Sequence, residues 1–261
     1  MKKLLVSLSI FTFLWACNSE KVNEQTPAKK NILVQVSVID ALLQGIYDGI
    51  MPISELVEYG DLGIGTFHGL NGEMVVLNDT VFQVLSTGAV AKPASDVTTP
   101  FAAITAFSAD TTFALEDISY DSLEASFNSF FPTPNLFYAV KMKGEFSYMK
   151  TRSVPAQSKP YLPLAEVTKN QPEFEFNQVK GEIVGFYCPA YAQGINVTGL
   201  HLHFLTADRK GGGHILAFNV KKVSLEIGYL PEFKLILPTS GDFLGGDFTV
   251  DRSEDLEQAE N

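Results

Sequence analysis

The chain has four histidines, and three of them fall within fourteen residues: His201-Leu202-His203, then His214. Residues two apart on a β-strand project from the same face. His201 and His203 therefore stand side by side, while Leu200, Leu202 and Phe204 face the other way. Arg209-Lys210-Gly211-Gly212-Gly213 is a turn-rich connection that lets the chain double back as a hairpin. The strand beginning at His214 then lies beside the first and can complete a three-imidazole face. Three neutral imidazoles with an open position are the donor set of a catalytic zinc site. A purely structural zinc usually closes with a fourth ligand, often Cys, and none is near. The plain alternative is a chance His-X-His pair packed on a strand. The glycine run is not a phosphate cradle, because no strand-loop-helix with Lys-Ser/Thr follows it. The spacing alone points to a metal site of open purpose. The fourth histidine, His68, sits in a turn-like stretch away from this trio.

The elements that must carry these residues are short. Asn31 to Val38 reads as a first strand, and Ile39 to Tyr47 and Ile53 to Tyr59 read as helices from their apolar spacing. Gly63 to Phe67, Glu73 to Leu77 and Val81 to Leu85 read as strands, with turn signals at Asn71-Gly72 and Asn78-Asp79. Phe101 to Phe107 and Thr111 to Leu115 are further strands. Tyr120 to Phe130 has a helical pattern, and Pro132 and Pro134 stop it. Leu136 to Met149 reads as a long strand bent at Gly144. Ser153 to Pro163 is irregular. Strands follow at Phe174–Val179, Glu182–Tyr187, Val197–Leu205, His214–Ile227 and Phe233–Leu237, and residues 251–261 form a polar, helical tail. The expected fold class is α/β (α+β). Residues 31–160 form a mixed N-terminal sheet with helices. Residues 161–261 form a mostly antiparallel, β-barrel-like part that binds the metal and ends in an acidic tail.

The totals fit a folded domain. Hydrophobic residues make up 46% and charged residues 19% of 261 positions, a globular composition. Twenty Phe and nine Tyr against one Trp favour strands. A formal charge of −11 argues against nucleic acid as a partner, since phosphate binding needs a basic surface. At the N-terminus, Met1-Lys2-Lys3 precedes an apolar run from Leu4 to Leu14, too short for a permanent membrane span and typical of a secretory signal. Leu14-Trp15-Ala16-Cys17 resembles a bacterial lipobox, with Cys17 as the lipidated residue; Trp15 is a departure from the usual small or aliphatic residue. Residues 1–17 are thus expected to be a signal peptide with lipobox and 18–30 a tether, giving an exported, membrane-anchored lipoprotein. Cys188 is then the only cysteine left, which excludes an intramolecular disulfide and makes it a buried small hydrophobe.

Four separated segments, in order, carry a family resemblance over roughly 31–261. His201-Leu-His-Phe-Leu-Thr-Ala-Asp-Arg-Lys-Gly-Gly-Gly-His214 closely resembles the metal-binding segment of the bacterial alpha-acetolactate decarboxylases. Tyr59-Gly-Asp-Leu-Gly-Ile-Gly-Thr66-Phe-His-Gly-Leu-Asn-Gly-Glu73-Met looks like that family's N-terminal motif. Thr151-Arg152-Ser-Val-Pro-Ala-Gln157 looks like its arginine motif, and Asp251-Arg-Ser-Glu-Asp-Leu-Glu-Gln-Ala-Glu260 is similar to its acidic C-terminus. The resemblance implies a two-part fold, a homodimer, and Zn2+ held by His201, His203 and His214. It implies that Arg152, Glu73 and a C-terminal glutamate complete the catalytic site. That glutamate best fits Glu260, with Glu257 and Glu254 as fallbacks. The implied reaction is metal-dependent decarboxylation of 2-acetolactate to acetoin and CO2, in acetoin biosynthesis. Two other readings stay open on residues alone. One is a cupin-like metal enzyme, whose extra carboxylate would be Asp208. The other is a non-catalytic surface lipoprotein that binds a metal or ligand.

Overall fold

The computed structural model describes residues 31–260. The expected signal peptide with lipobox at Cys17 and the expected tether of residues 18–30 lie outside the described residues. In chain order the elements are β1 (Ile32–Val36), α1 (Ile39–Leu43), β2 (Met51–Pro52), α2 (Ile53–Leu56), β3 (Leu62–Thr66), β4 (Glu73–Leu77), β5 (Thr80–Val84), β6 (Val90–Ala91), β7 (Thr98–Thr99), β8 (Ala102–Thr105) and β9 (Thr111–Glu116). They continue with α3 (Tyr120–Ser126), β10 (Phe137–Arg152), α4 (Leu164–Thr168), β11 (Glu173–Cys188), β12 (Gly199–Thr206), β13 (Gly212–Leu230), β14 (Glu232–Ile236) and α5 (Ser253–Glu260). The fold is mixed α+β and mostly strands.

Two sheets dominate. The first has seven strands in the order β14-β1-β8-β3-β4-β5-β6, and the second has five in the order β10-β11-β12-β13-β9. The first is mixed, as expected, but its one parallel pair joins β1 to β14 from the far end of the chain. The second is antiparallel throughout. β10 also pairs with β13, so the pairings return to the strand they started from, but β12 and β13 share only three register positions. The expected barrel is not established by so short a closing seam.

The sheets also do not follow a division at residue 160. β9 and β10 precede that point yet belong to the second sheet, and β14 follows it yet belongs to the first. The reason is the hairpin of long strands β10 and β11, whose register spans Tyr138–Arg152 against Glu173–Tyr187 and straddles the expected boundary. The strands alternate faces, and this alternation glues the sheets together. Leu33, Leu62, Ile64, Val75 and Leu77 of the first sheet pack with Phe137, Val184, Phe186, Leu205 and Leu230 of the second in one buried layer.

Four local readings change. The helix at Ile39 stops at Leu43, because Gly45 turns left-handed (φ +80°), though Tyr47 stays buried. Phe174–Val179 and Glu182–Tyr187 are one continuous strand, β11; Gln178, at φ +50°, marks an irregularity within it rather than a break. α4 appears in the stretch that ends the irregular region, after Pro163. The long strand at Leu136 runs on to Arg152, and its register against β13 shifts just after Gly144. Cys188 is buried and free. Among the described residues no helix is long and apolar enough to cross a membrane.

Candidate active site

The three histidines meet as their spacing predicts. His203 and His214 are direct register partners across the β12–β13 hairpin, and His201 lies two residues back on the same face of β12. Leu200, Leu202 and Phe204 point into the other core, against α3 and the far strands. The donor atoms of the trio lie within 4.8 Å of one another, and all three side chains are buried. The hairpin needs its glycines. Gly213 has φ +132°, and a Cβ there would sit 2.3 Å from the Arg152 carbonyl oxygen on β10.

The trio fits a divalent cation. Burial holds the rings neutral: His201 is pushed down to about 3, helped by the Arg152 charge, and His203 and His214 are held well below the ordinary value, again chiefly by burial. Neutral imidazole is the ligating form. The His203 Nδ1 lies 2.8 Å from the Met74 carbonyl oxygen, which leaves Nε2 free to ligate. The Glu260 main-chain carbonyl accepts from the His214 ring. Such outer hydrogen bonds orient a ligating ring. The Nδ1 of His201 has no hydrogen-bond partner.

Three more charged groups come to the same place from three other elements. Arg152 ends β10 and is the register partner of His214. Glu73 begins β4 just after the Asn71-Gly72 turn; it shares a face with Val75 and Leu77, so it points towards the second sheet. Glu260 arrives at the end of α5. The Arg152 Nη1 donates to Glu73 Oε1 at 3.2 Å, and Nη2 donates to the Ala259 carbonyl at 2.9 Å and lies 3.7 Å from Glu260 Oε1. Glu73 Oε2 is 3.6 Å from His203 Nε2, and Glu260 Oε2 is 3.6 Å from His214 Nε2 and 3.9 Å from His201 Nε2. Burial pushes the Glu73 carboxyl up to about 7, more than Arg152 and the Val154 backbone N–H pull it down. Burial raises Glu260 too, against the pull of Arg152.

These six residues line one cavity of about 40 Å³, together with the apolar Ile39, Leu42, Leu70, Phe101, Val154 and Leu164. That space suits a few waters or a very small organic molecule. Glu257 lines a neighbouring cavity rather than this one, and Glu254 is exposed, so the tail residue that reaches the cavity is Glu260. Asp208 is exposed in the hairpin turn and accepts from Thr206 Oγ1, so it supplies no carboxylate to the trio. His68 is exposed and accepts from the Gly49 N–H. The main-chain partners at Met74, Val154 and Ala259 were not foreseen, and no side-chain pattern could have marked them. The apolar wall from α1 and α4 was also missed.

The site brings together three buried imidazoles held neutral, one buried guanidinium and two carboxyls that burial pushes up, a donor set that could hold a metal ion. Comparison with known proteins identifies the fold that carries it. The family model for alpha-acetolactate decarboxylase matches residues 33–250. The chain belongs to the alpha-acetolactate decarboxylase family. An alpha-acetolactate decarboxylase from Methanosarcina mazei is 45% identical over 93% of this chain and 86% of its own length. One from Bacillus subtilis is 38% identical over 87% of this chain and 90% of its own length. The crystal structure of alpha-acetolactate decarboxylase from Bacillus subtilis strain 168 superposes with a TM-score of 0.86, at 37% identity, over 88% of this chain and 99% of that one. The enzyme class is that of a carboxy-lyase. The span matched by the family model holds the histidines, Arg152 and Glu73 but stops before α5, so Glu260 enters the site on geometry.

Proposed function

We propose that this protein converts 2-acetolactate to acetoin and CO2, serving acetoin biosynthesis, with a divalent ion, zinc, held by His201, His203 and His214. The observation that carries this reading is the convergence of Arg152, Glu73 and Glu260 on the buried trio within a single small cavity. Family membership supports it.

2-Acetolactate is a β-keto acid with a hydroxyl on the carbon that bears the carboxylate. Loss of CO2 pushes an electron pair towards the ketone and leaves an enediolate, which must then take one proton. A divalent ion on three imidazoles supplies a Lewis acid for the oxygens on which that charge develops. The rest falls to the chain's own groups. Arg152 is fixed by Glu73 and by the Ala259 carbonyl, and its buried Nε–H has no partner in the protein. That donor is free to hold the substrate carboxylate, and a guanidinium stays charged while it does so. Burial of these groups lowers the local dielectric, which strengthens each of these interactions. Glu73, held up to about 7, keeps a proton for part of the time at neutrality, and this suits it to deliver one to the carbanionic carbon. Glu260 stands on the other side of Arg152 and holds the His201–His214 side of the site.

The N-terminal reading adds an exported enzyme anchored to a membrane through a lipid on Cys17, and the resemblance adds a homodimer. Incubating the purified protein with racemic 2-acetolactate, and measuring acetoin and CO2, tests the reaction. Equal amounts of the two support the reading; neither product above the spontaneous rate overturns it.

A further inference from the structure

The cavity has two chemically distinct halves. The polar half is carried by strands β4, β10, β12 and β13 and by the end of α5. The apolar half is Ile39, Leu42, Leu70, Phe101, Val154 and Leu164, which belong to one small buried cluster with Tyr47, Val167 and Ala259. A 2-hydroxy-3-oxo acid with its carboxylate at Arg152 and its hydroxyl and ketone oxygens towards the histidine trio has only alkyl groups left to face these apolar residues.

The apolar residues differ in what else they do. The Val154 backbone N–H helps hold the Glu73 carboxyl, and its carbonyl accepts from Gly72 N–H beside Glu73. The Phe101 carbonyl accepts from both Thr66 N–H and Thr99 Oγ1. Leu70 has φ +57° within the turn that leads to Glu73. Ile39 opens α1, and its N–H bonds to the Ile195 carbonyl. Leu42 and Leu164 are different. Each sits on a short helix outside both sheets, each is buried, and neither helix carries a residue of the polar half.

We infer that Leu42 of α1 and Leu164 of α4 are the residues that set the size of the 2-alkyl substituent the enzyme accepts. This rests on the proposed decarboxylation of a 2-hydroxy-3-oxo acid. In a cavity of about 40 Å³, an added methylene needs room that the lining side chains must give, and these two are lining residues whose own main chain bonds to none of the polar groups, although α4 packs with Ala259 of α5. A methylene in such a pocket changes specificity by about tenfold or more. The residues act on discrimination between homologues and leave the electron and proton steps to the polar half.

The test uses three substrates, the 2-methyl, 2-ethyl and 2-propyl 2-hydroxy-3-oxobutanoates, and measures kcat/KM for CO2 release. The parent protein, Leu164→Val, Leu164→Ala, Leu164→Phe and Leu42→Val are compared. The expected result is a rise of about tenfold in the propyl-to-methyl ratio for Leu164→Ala, with smaller rises for Leu164→Val and Leu42→Val and a fall for Leu164→Phe. The valine variants remove one methylene each and keep the test open if the alanine variant does not fold. Ratios within threefold of the parent in every folded variant overturn the inference while leaving the decarboxylation standing. No CO2 release by the parent from any of the three overturns the proposed function itself.

Discussion

Arg152 holds three elements together at one point: Glu73 from β4, the Ala259 carbonyl from α5, and its own register partner His214 on β13. Replacing it with alanine leaves two buried carboxyls without their counter-charge, a loss of about 3–5 kcal/mol, so the midpoint of thermal unfolding falls sharply. Arg152→Lys keeps the charge but cannot span the fork of partners. It is expected to retain most of the stability and to lose about a hundredfold or more in kcat. A lysine variant with parental kcat contradicts the role given to the guanidinium. The residue types of the metal trio were legible because His-X-His on a strand fixes a face, and a glycine hairpin fixes the return. Arg152 and Glu73 were legible only through family resemblance. A lone Arg and a Glu after an Asn-Gly turn carry no spacing signal, and 79 residues separate the two partners.

At the scale of elements, the site depends on how closely β13 lies against β10. Gly213 allows that approach, and Gly213→Ala drives a Cβ against the Arg152 carbonyl. The expected outcome is a loss of about 1–3 kcal/mol from strain, together with weakened metal retention, because His214 is the next residue. Chain unfolding and metal analysis check both parts; unchanged metal content refutes the second. α5 works from the opposite side. Its carbonyls hold Arg152 and the His214 ring, and its last residue brings Glu260. Truncation after Asp255 is expected to leave cooperative unfolding and to cut turnover at least a hundredfold, and parental turnover in the truncated chain refutes the role of α5. Strand positions were largely legible, since β4 and the start of β9 fall where alternation and turn residues put them. Helix extents were less so. Ile39, Leu42, Leu43 and Tyr47 show a helical stripe and are all buried, yet burial alone does not keep a chain helical past Gly45.

For the whole molecule, the buried layer between the two sheets decides both topology and chemistry. His203, Leu205, Glu73 and Val75 lie on strand faces turned towards that layer, and the site is the end of it where polar side chains replace apolar ones. Pairing of β14 with β1 closes the chain over this arrangement and could not be read from sequence, because non-local partner choice leaves no local pattern. The three buried neutral imidazoles have a global consequence. His201 is depressed to about 3 from 6.5 in the folded state, so the unfolded chain takes up protons first as pH falls. Metal-free protein should therefore lose stability from this source as pH drops below about 6.5, and gain none from it above 6.5. Glu73, raised from 4.5 to about 7, stabilises the fold as pH falls from about 7 to 4.5 and offsets part of that loss, so the net fall is expected from about 4.5 towards about 3. Thermal unfolding across that range checks it; a flat profile contradicts it. A divalent ion at a hundred times its Kd adds about 2.7 kcal/mol to the folded state and shifts the midpoint upwards.

The most direct test of the central claim is turnover of 2-acetolactate by one preparation before chelation, after chelation, and after restoring a divalent ion, with the bound metal counted at each stage. The proposed site predicts one ion per chain, acetoin formation that disappears with it, and recovery when zinc is returned. Full acetoin formation by protein shown to hold no metal contradicts it.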